Sequence, residues 1–176
     1  MPAVVTDMPL KYENLEIRRA TQSDAPTLMA WWNDGGVMAH AGFPNGLNIT
    51  LDEVIAGLNP GSLIIMENGR PIGECCYRNA EPGTAEIGIK ICVGDCQNRG
   101  VGKKVLSMLI TYLFQSGYDK IALSTNPDNL RARHVYRALG FREVRINADS
   151  WTDQLGRLQS SVDCELVKGD FHSYAT

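Results

Sequence analysis

The chain has 176 residues and a mass of 19.4 kDa, about the size of one compact domain. Hydrophobic residues make up 44% of it and charged residues 21%, which excludes a disordered or fibrous protein. The net charge of −3 argues against a nucleic-acid partner, because neutralising phosphates requires a surplus of lysine and arginine.

The first residues and the cysteines favour a cytoplasmic protein with no membrane partner. No apolar run approaches the roughly 20 residues that span a bilayer, and Met1–Leu10 lacks the basic start of a signal peptide. The five cysteines form no C-x-x-C pair and have no histidine at zinc-finger spacing, so no metal site is expected. We expect small buried thiols in a reducing compartment, with a catalytic thiol at Cys92 or Cys96 as the alternative.

Periodicity and turn residues predict a loose leader over residues 1–14 and a single domain over residues 15–176. The strands are expected at Leu15–Arg19, Ser62–Met66, Pro71–Arg78, Thr84–Val93, Lys120–Thr125, Phe141–Asn147 and Gln159–Val167. The helices are expected at Ala25–Asn33, Leu51–Leu58, Gly100–Gln115 and Asn129–Leu139. This order is typical of a mixed α/β (α+β) domain, with a largely antiparallel sheet of about seven strands and about four flanking helices.

The segment between the strand at 84–93 and the following helix predicts an anion-binding site. Gly100 and Gly102 allow positive φ angles and a close approach of a ligand to the backbone. The free amides of the first helical turn and the helix dipole both attract negative charge. Arg99, Lys103 and Lys104 add three positive charges in an otherwise acidic chain. Together these features predict a bound phosphate or diphosphate.

Two standard nucleotide motifs do not fit this segment. Gly94 is one residue out of register with Gly100 for a Walker A loop, and no Ser or Thr follows the lysines. Val105 stands where a dinucleotide fingerprint has its third glycine. Two alternatives stay open: the glycines only allow a tight turn, or the chain is an unrelated phosphate-binding enzyme.

The chain resembles the GNAT acetyltransferases, which use acetyl-coenzyme A, over roughly Leu15–Val167. The family signature Q/R-x-x-G-x-G/A is matched by Gln97, Gly100 and Gly102. A second family pattern, N-x-x-A-x-x-x-Y-x-x-x-G-F, is matched by Asn129, Ala132, Tyr136, Gly140 and Phe141. Trp31–Asp34 and Glu86–Ile89 look like the branch that contains the ribosomal-protein N-terminal and aminoglycoside 6′-N-acetyltransferases.

The resemblance implies acetyl-CoA as the cosubstrate. In the family, the strand at 84–93 diverges from the next parallel strand, so the main chain of Ile91 and Val93 is expected to contact the pantetheine arm. Asn129 is expected near the thiol end of that arm, whereas Arg131 and Arg133 either meet phosphate or face water. The residues expected around the diphosphate are Gln97, Asn98, Arg99, Gly100, Val101, Gly102 and Lys103.

The implied reaction is direct attack of an amine on the acetyl thioester in a ternary complex. An alkylammonium ion has a pKa near 10 and must first lose a proton. Glu86 is the first candidate for the base, the alternative being a solvated strand glutamate, and Tyr136 matches the family's acid for the leaving thiolate. The candidate acceptor-pocket residues are Trp31, Trp32, Asp34, His40 and Phe43.

The expected acceptor is a small-molecule amine or a protein N-terminus. A catalytically silent acyl-CoA-binding sensor is the alternative function, because such a module needs only the phosphate loop. An edge strand such as Gln159–Val167 offers a route to a homodimer.

Overall fold

A single eight-stranded sheet crosses the computed structural model, which describes residues 7–176. The strands are β1 (Leu10–Tyr12), β2 (Leu15–Arg19), β3 (Ser62–Glu67), β4 (Arg70–Asn79), β5 (Thr84–Ile91), β6 (Lys120–Thr125), β7 (Arg142–Thr152) and β8 (Leu158–Val167). The helices are α1 (Ala25–Trp32), α2 (Gly35–Met38), α3 (Leu51–Gly57), α4 (Val101–Gln115) and α5 (Leu130–Leu139). The spatial order β1-β2-β3-β4-β5-β6-β8-β7 is antiparallel except between β5 and β6.

The mixed fold and the largely antiparallel sheet are confirmed, with one more strand and one more helix than predicted. Strand β1 lies inside the predicted leader and pairs with β2, so that Leu10 faces Ile17 across the ladder. The leader residues 1–6 lie outside the described residues. Helix α2 lies in a segment predicted as a loop, where the Asp34 side chain caps it by accepting a hydrogen bond from the Gly36 amide at 2.8 Å.

The strand predicted at 159–167 is not at an edge of the sheet, which corrects the route proposed for a homodimer. Strand β8 pairs with β6 on one side and with β7 on the other. The hairpin that joins β7 to β8 returns β8 to the inside, which leaves β7 and β1 as the outer strands over residues 7–176.

Alternation along β3 separates the two faces of the sheet. Leu63 and Ile65 are buried in the main core together with the apolar stripe of α4. Ile64 points to the other face, where it packs with Leu28 of α1 and Val54 of α3. One face of the sheet is therefore covered by α4, and the opposite face, at β3, by α1 and α3. Within residues 7–176, none of the helices has the length and apolar character needed to cross a membrane.

Candidate active site

Strands β5 and β6 are joined over three residues and then separate. Thr84, Ala85 and Glu86 pair in parallel with Lys120–Ala122, whereas β5 runs on to Ile91. Beyond Glu86, β5 is paired only with β4 among the described strands. A cleft of about 510 Å³ lies beside this separation and is bounded by β5, by the first turn of α4 and by α5.

The end of β5 forms one wall of the cleft. Ile89 and Ile91 line it, and the Gln97 side chain donates a hydrogen bond to the Ile91 carbonyl at 2.9 Å. Gln97 therefore ties the loop before α4 to the strand. Val93 does not line the cleft. Its amide donates to the Ile72 carbonyl and its carbonyl accepts from the Cys96 amide, so both main-chain groups already have partners. Of the two strand residues expected at the pantetheine arm, Ile91 alone lines the cleft.

The loop before α4 turns through two left-handed residues, Asn98 (φ 63°) and Gly100 (φ 76°). Asparagine and glycine are the residues that adopt this conformation most readily. The first main-chain bond of the helix runs from the Lys104 amide to the Gly100 carbonyl, so the amides of residues 101–103 have no partner within the helix. All three residues line the cleft. This wall therefore presents backbone N–H groups and the positive end of the helix dipole.

Only one of the three basic residues predicted at this loop lines the cleft. The Arg99 guanidinium donates to Glu67 at 2.8 Å and to the Asp95 carbonyl at 3.1 Å, which places Arg99 in an ion pair outside the cleft. Lys104 pairs with a glutamate of the β1–β2 turn. Lys103 lines the cleft, and its ammonium group lies 4.2 Å from the centre of the Tyr174 ring.

Tyr136 of helix α5 and Asn129, the residue that caps this helix, form the opposite wall. The Asn129 side chain caps the helix by accepting from the Ala132 amide at 3.2 Å. The Tyr136 ring packs edge-to-face against Phe141 at 5.8 Å, and burial raises its pKa to about 12. The phenol is therefore protonated at neutral pH and can act as a proton donor.

The two arginines of α5 have different surroundings. Arg131 is exposed and lines the cleft. Arg133 makes a two-pronged ion pair with Glu143, at 2.8 and 2.9 Å, and also donates to the Pro127 carbonyl. Arg133 therefore joins α5 to β7, and neither of the two expected roles, phosphate binding or a water-exposed side chain, describes it.

The predicted base, Glu86, lies on the other face of the sheet from Ile89 and Ile91. It is the last residue of β5 that pairs with β6, and its side chain is 42% exposed. Arg78 donates to it at 2.8 Å across the β4–β5 ladder. Glu86 borders a cavity of about 210 Å³, separate from the 510 Å³ cleft.

The predicted acceptor residues are divided among several places. Trp31 packs in the apolar cluster of α1 and α3, and Asp34 caps α2. Phe43 is exposed. His40 lines both the large cleft and a neighbouring cavity of about 170 Å³. Of the four acceptor residues expected besides Phe43, His40 is the one that reaches the cleft.

The fourth, Trp32, contacts Glu74, a carboxylate that the sequence analysis did not identify. The Trp32 indole donates to the Glu74 side chain at 2.8 Å, and the Lys90 ammonium lies 3.4 Å from the same oxygen. These groups line a cavity of about 240 Å³ on the face opposite the cleft. The sequence signal that could have identified Glu74 is its position as a carboxylate within the apolar stretch from Ile72 to Cys75.

The cysteines do not form an obvious reactive site. Burial raises the pKa of Cys92 to about 12 and that of Cys164 to about 11, so both thiols are protonated at neutral pH. Cys96 is buried and accepts a hydrogen bond from Arg70. Over residues 7–176, no group of three or more His, Cys, Asp or Glu residues is arranged to hold a metal ion.

Comparison with known proteins identifies a family. The family model described as "Acetyltransferase (GNAT) family" matches residues 6–141. No curated protein matches the chain.

Solved structures with the same fold cover most of the chain at low identity. The spermidine N-acetyltransferase from Vibrio cholerae, in complex with CoA and spermine, is 20% identical with a TM-score of 0.78, over 89% of this chain and 97% of that one. The structure of yncA from Salmonella typhimurium with its cofactor acetyl-CoA is 20% identical with a TM-score of 0.73, over 93% and 99%. The ribosomal-protein-alanine N-acetyltransferase from Brucella melitensis is 20% identical with a TM-score of 0.73, over 86% and 98%.

The contrast between the two arginines of α5 yields a stability prediction. Replacing Arg133→Gln should lower the thermal unfolding midpoint by a few degrees at pH 7, whereas Arg131→Gln should leave it unchanged. Arg133 holds the pKa of Glu143 below its ordinary value, so the pair stabilises the fold above pH ~4 and loses its effect as the pH falls through the lowered pKa. Thermal unfolding followed by circular dichroism at pH 7 and pH 3 should show the difference shrinking in acid. Equal midpoints for both variants at pH 7 would contradict this role.

Proposed function

The chain belongs to the acetyltransferase (GNAT) family, and we propose that it moves the acetyl group of acetyl-CoA to a primary amine by direct attack in a ternary complex. The family makes the protein an acyltransferase with acetyl-CoA as its cosubstrate, as in neighbours that hold acetyl-CoA or CoA. One observation carries the proposal. The amides of residues 101–103, which have no partner within α4, and the Lys103 side chain line a cleft at the point where β5 separates from β6.

The cleft is suited to a diphosphate attached to a long polar chain. A Cβ atom added at Gly100 or Gly102 would meet nothing within 4 Å, so both glycines leave the wall open. The amides of Val101, Gly102 and Lys103 can then donate to phosphate oxygens, and the Lys103 ammonium adds charge. Gln97 and Asn98 also line the cleft, whereas Arg99 holds the loop from outside it. The pantetheine arm would follow Ile89 and Ile91.

The amine must lose a proton before it attacks the thioester carbon, and Glu86 is proposed to receive it. Glu86 is the last residue of β5 paired with β6, so it lies where the two strands part. Its partner Arg78 is 70% exposed, and an ion pair this exposed is weak. The Glu86 carboxylate can therefore leave the pair and accept a proton. A backbone amide of the free stretch of β5 would then donate to the oxyanion that forms on the carbonyl.

Tyr136 is proposed to assist departure of the coenzyme A thiolate. A phenol with a pKa of about 12 keeps its proton at neutral pH, so it is available to donate to the sulfur as the carbon–sulfur bond breaks. Asn129 lines the same wall about two helical turns before Tyr136 and, by capping α5, fixes the direction in which the helix presents the ring.

The acceptor is proposed to be a small amine or a protein N-terminus. Two of the neighbours are named as a spermidine N-acetyltransferase and a ribosomal-protein-alanine N-acetyltransferase, which supports a small amine or a protein as the acceptor. The residues Trp31–Asp34 and Glu86–Ile89 favour the ribosomal-protein and aminoglycoside branch of the family. The five free cysteines suit a reducing compartment, which favours the cytoplasm.

An acceptor screen tests the proposed function. The purified protein is incubated with acetyl-CoA and a panel of peptides, polyamines and aminoglycosides, and released thiol is measured. We expect thiol release that depends on at least one amine. Tight acetyl-CoA binding with no release across the panel would favour the silent sensor instead. Absence of acetyl-CoA binding by calorimetry would contradict both.

Replacing Tyr136→Phe removes the proton donor and keeps the ring packed against Phe141. We expect kcat to fall by about 10²-fold, with KM for acetyl-CoA changed by less than about twofold, because general acid catalysis contributes at this scale. Tyr12→Phe, on strand β1, is the matched control and should leave kcat unchanged. Steady-state kinetics with an acceptor from the screen measures both constants. An unchanged kcat in Tyr136→Phe would remove this residue from the mechanism.

Replacing Gly102→Ala places a methyl group in the open wall of the cleft without straining the fold. We expect the Kd for CoA to rise about tenfold or more, because phosphate oxygens can no longer approach the amides. Gly94→Ala is the matched control: its Cβ also meets nothing within 4 Å, but Gly94 lies outside the cleft. Calorimetric titration with CoA should separate the variants, whose unfolding midpoints should match the wild type. Equal affinities would disprove this phosphate site.

A further inference from the structure

We propose that Glu74 binds a second, non-reacting ammonium group of the acceptor, in a cavity that takes the aminoalkyl chain carrying that group. The inference rests on the proposed function and deepens it by naming the substrate class. The cavity has a volume of about 240 Å³ and lies on the face of the sheet opposite the acetyl-CoA cleft. Its lining includes the polar groups of Glu74, Trp32 and Lys90 and the apolar side chains of Leu28 and Leu58.

Glu74 is held in place through one of its two oxygens. Oε1 accepts from the Trp32 indole at 2.8 Å and lies 3.4 Å from the Lys90 ammonium. Among the described residues, Oε2 has no hydrogen-bond partner, and no buried side-chain oxygen there is left unsatisfied, so Oε2 reaches accessible space. The side chain as a whole is 16% exposed. A carboxylate fixed at one oxygen and open at the other is ready to accept from one further N–H donor.

The charges near the cavity favour a cationic ligand. Lys90 offsets part of the negative charge of Glu74, but its 3.4 Å separation is long for a tight ion pair. The pKa of Cys92 is raised first by burial and then by Glu74, and Asp34 also contributes. At Cys92, which lies outside the cavity, the charge of Glu74 therefore affects the pKa more than the opposing charge of Lys90 does.

The size of the cavity favours one end of a molecule. Its volume is below the 300–1,000 Å³ typical of pockets for drug-sized ligands, so it holds part of an acceptor and not a whole aminoglycoside. The leucine side chains in its lining suit methylene groups. Ile89 borders both this cavity and the acetyl-CoA cleft, so the two sites meet at one residue of β5.

Thermal stabilisation by n-butylammonium chloride, compared with n-butanol and with sodium chloride at equal concentration, tests the site without acetyl-CoA. The wild type should be stabilised by the ammonium compound and not by the alcohol or the salt. Glu74→Gln, which keeps an oxygen for Trp32, should lose this stabilisation. Glu81→Gln, an exposed residue outside the cavity, makes the same charge change and should keep it.

The kinetic arm uses an acceptor with at least two amino groups that the acceptor screen shows to be turned over. Glu74→Gln should raise KM for that amine about tenfold, as expected for loss of a charged hydrogen bond, and leave KM for acetyl-CoA within about twofold. Equal stabilisation of wild type by the alcohol, or of Glu74→Gln by the ammonium compound, would overturn the proposal. Either result leaves acetyl-CoA binding and turnover intact, so the failure of this site is distinguishable from failure of the proposed function.

Discussion

The short seam between β5 and β6 is the constraint on which the rest of the site depends. β4 holds β5 over residues 85–91, and β8 holds every residue of β6. Each antiparallel half of the sheet is thus complete without the other, and three residue pairs suffice to join them. Backbone groups that leave a ladder must find other partners, because an unsatisfied buried amide or carbonyl costs about 1–3 kcal/mol. A polar chain lying in the opening supplies such partners, which is why a ligand suits this part of the sheet.

The loop at the mouth of the cleft is anchored by side chains so that its main chain can bind. Gln97 fastens it to Ile91 and Arg99 fastens it to Glu67. These contacts occupy the side chains of Gln97 and Arg99, both of which were predicted to lie at the cofactor. In exchange, the amides of the first turn of α4 are fixed in direction before a ligand arrives. Donors that need no reorganisation bind and stabilise negative charge more effectively than mobile lysines or arginines.

The sequence predicted most of the elements and the position of the phosphate loop, because both depend on local signals. The stripe of α4 and the left-handed Gly100 are determined by neighbours within a few residues. The roles of Val93, Arg99 and Arg133 were not predictable, because their partners Ile72, Glu67 and Glu143 are brought to them by tertiary structure. The interior position of β8 was missed for a related reason: the order of strands along the chain does not determine their order across the sheet.

In the proposed reaction, an amine on the α1 face has to meet a thioester on the α4 face. Hydrogen-bonded ladders join β2 to β5, so the sheet separates the amine from the thioester there. The two can meet where β5 and β6 separate after Glu86. Glu86 and Glu74 lie on the same face, with Gly88 between them along β5 in the position paired to Cys76. Glu74 is paired to Lys90, four residues along β5 from Glu86, and four residues of strand span about 13 Å, so an aminoalkyl chain must be extended over that distance to reach from one carboxylate to the other. Their surroundings suit different tasks: Trp32 and Lys90 fix Glu74 for binding, whereas the exposed partner of Glu86 leaves that carboxylate free to take a proton.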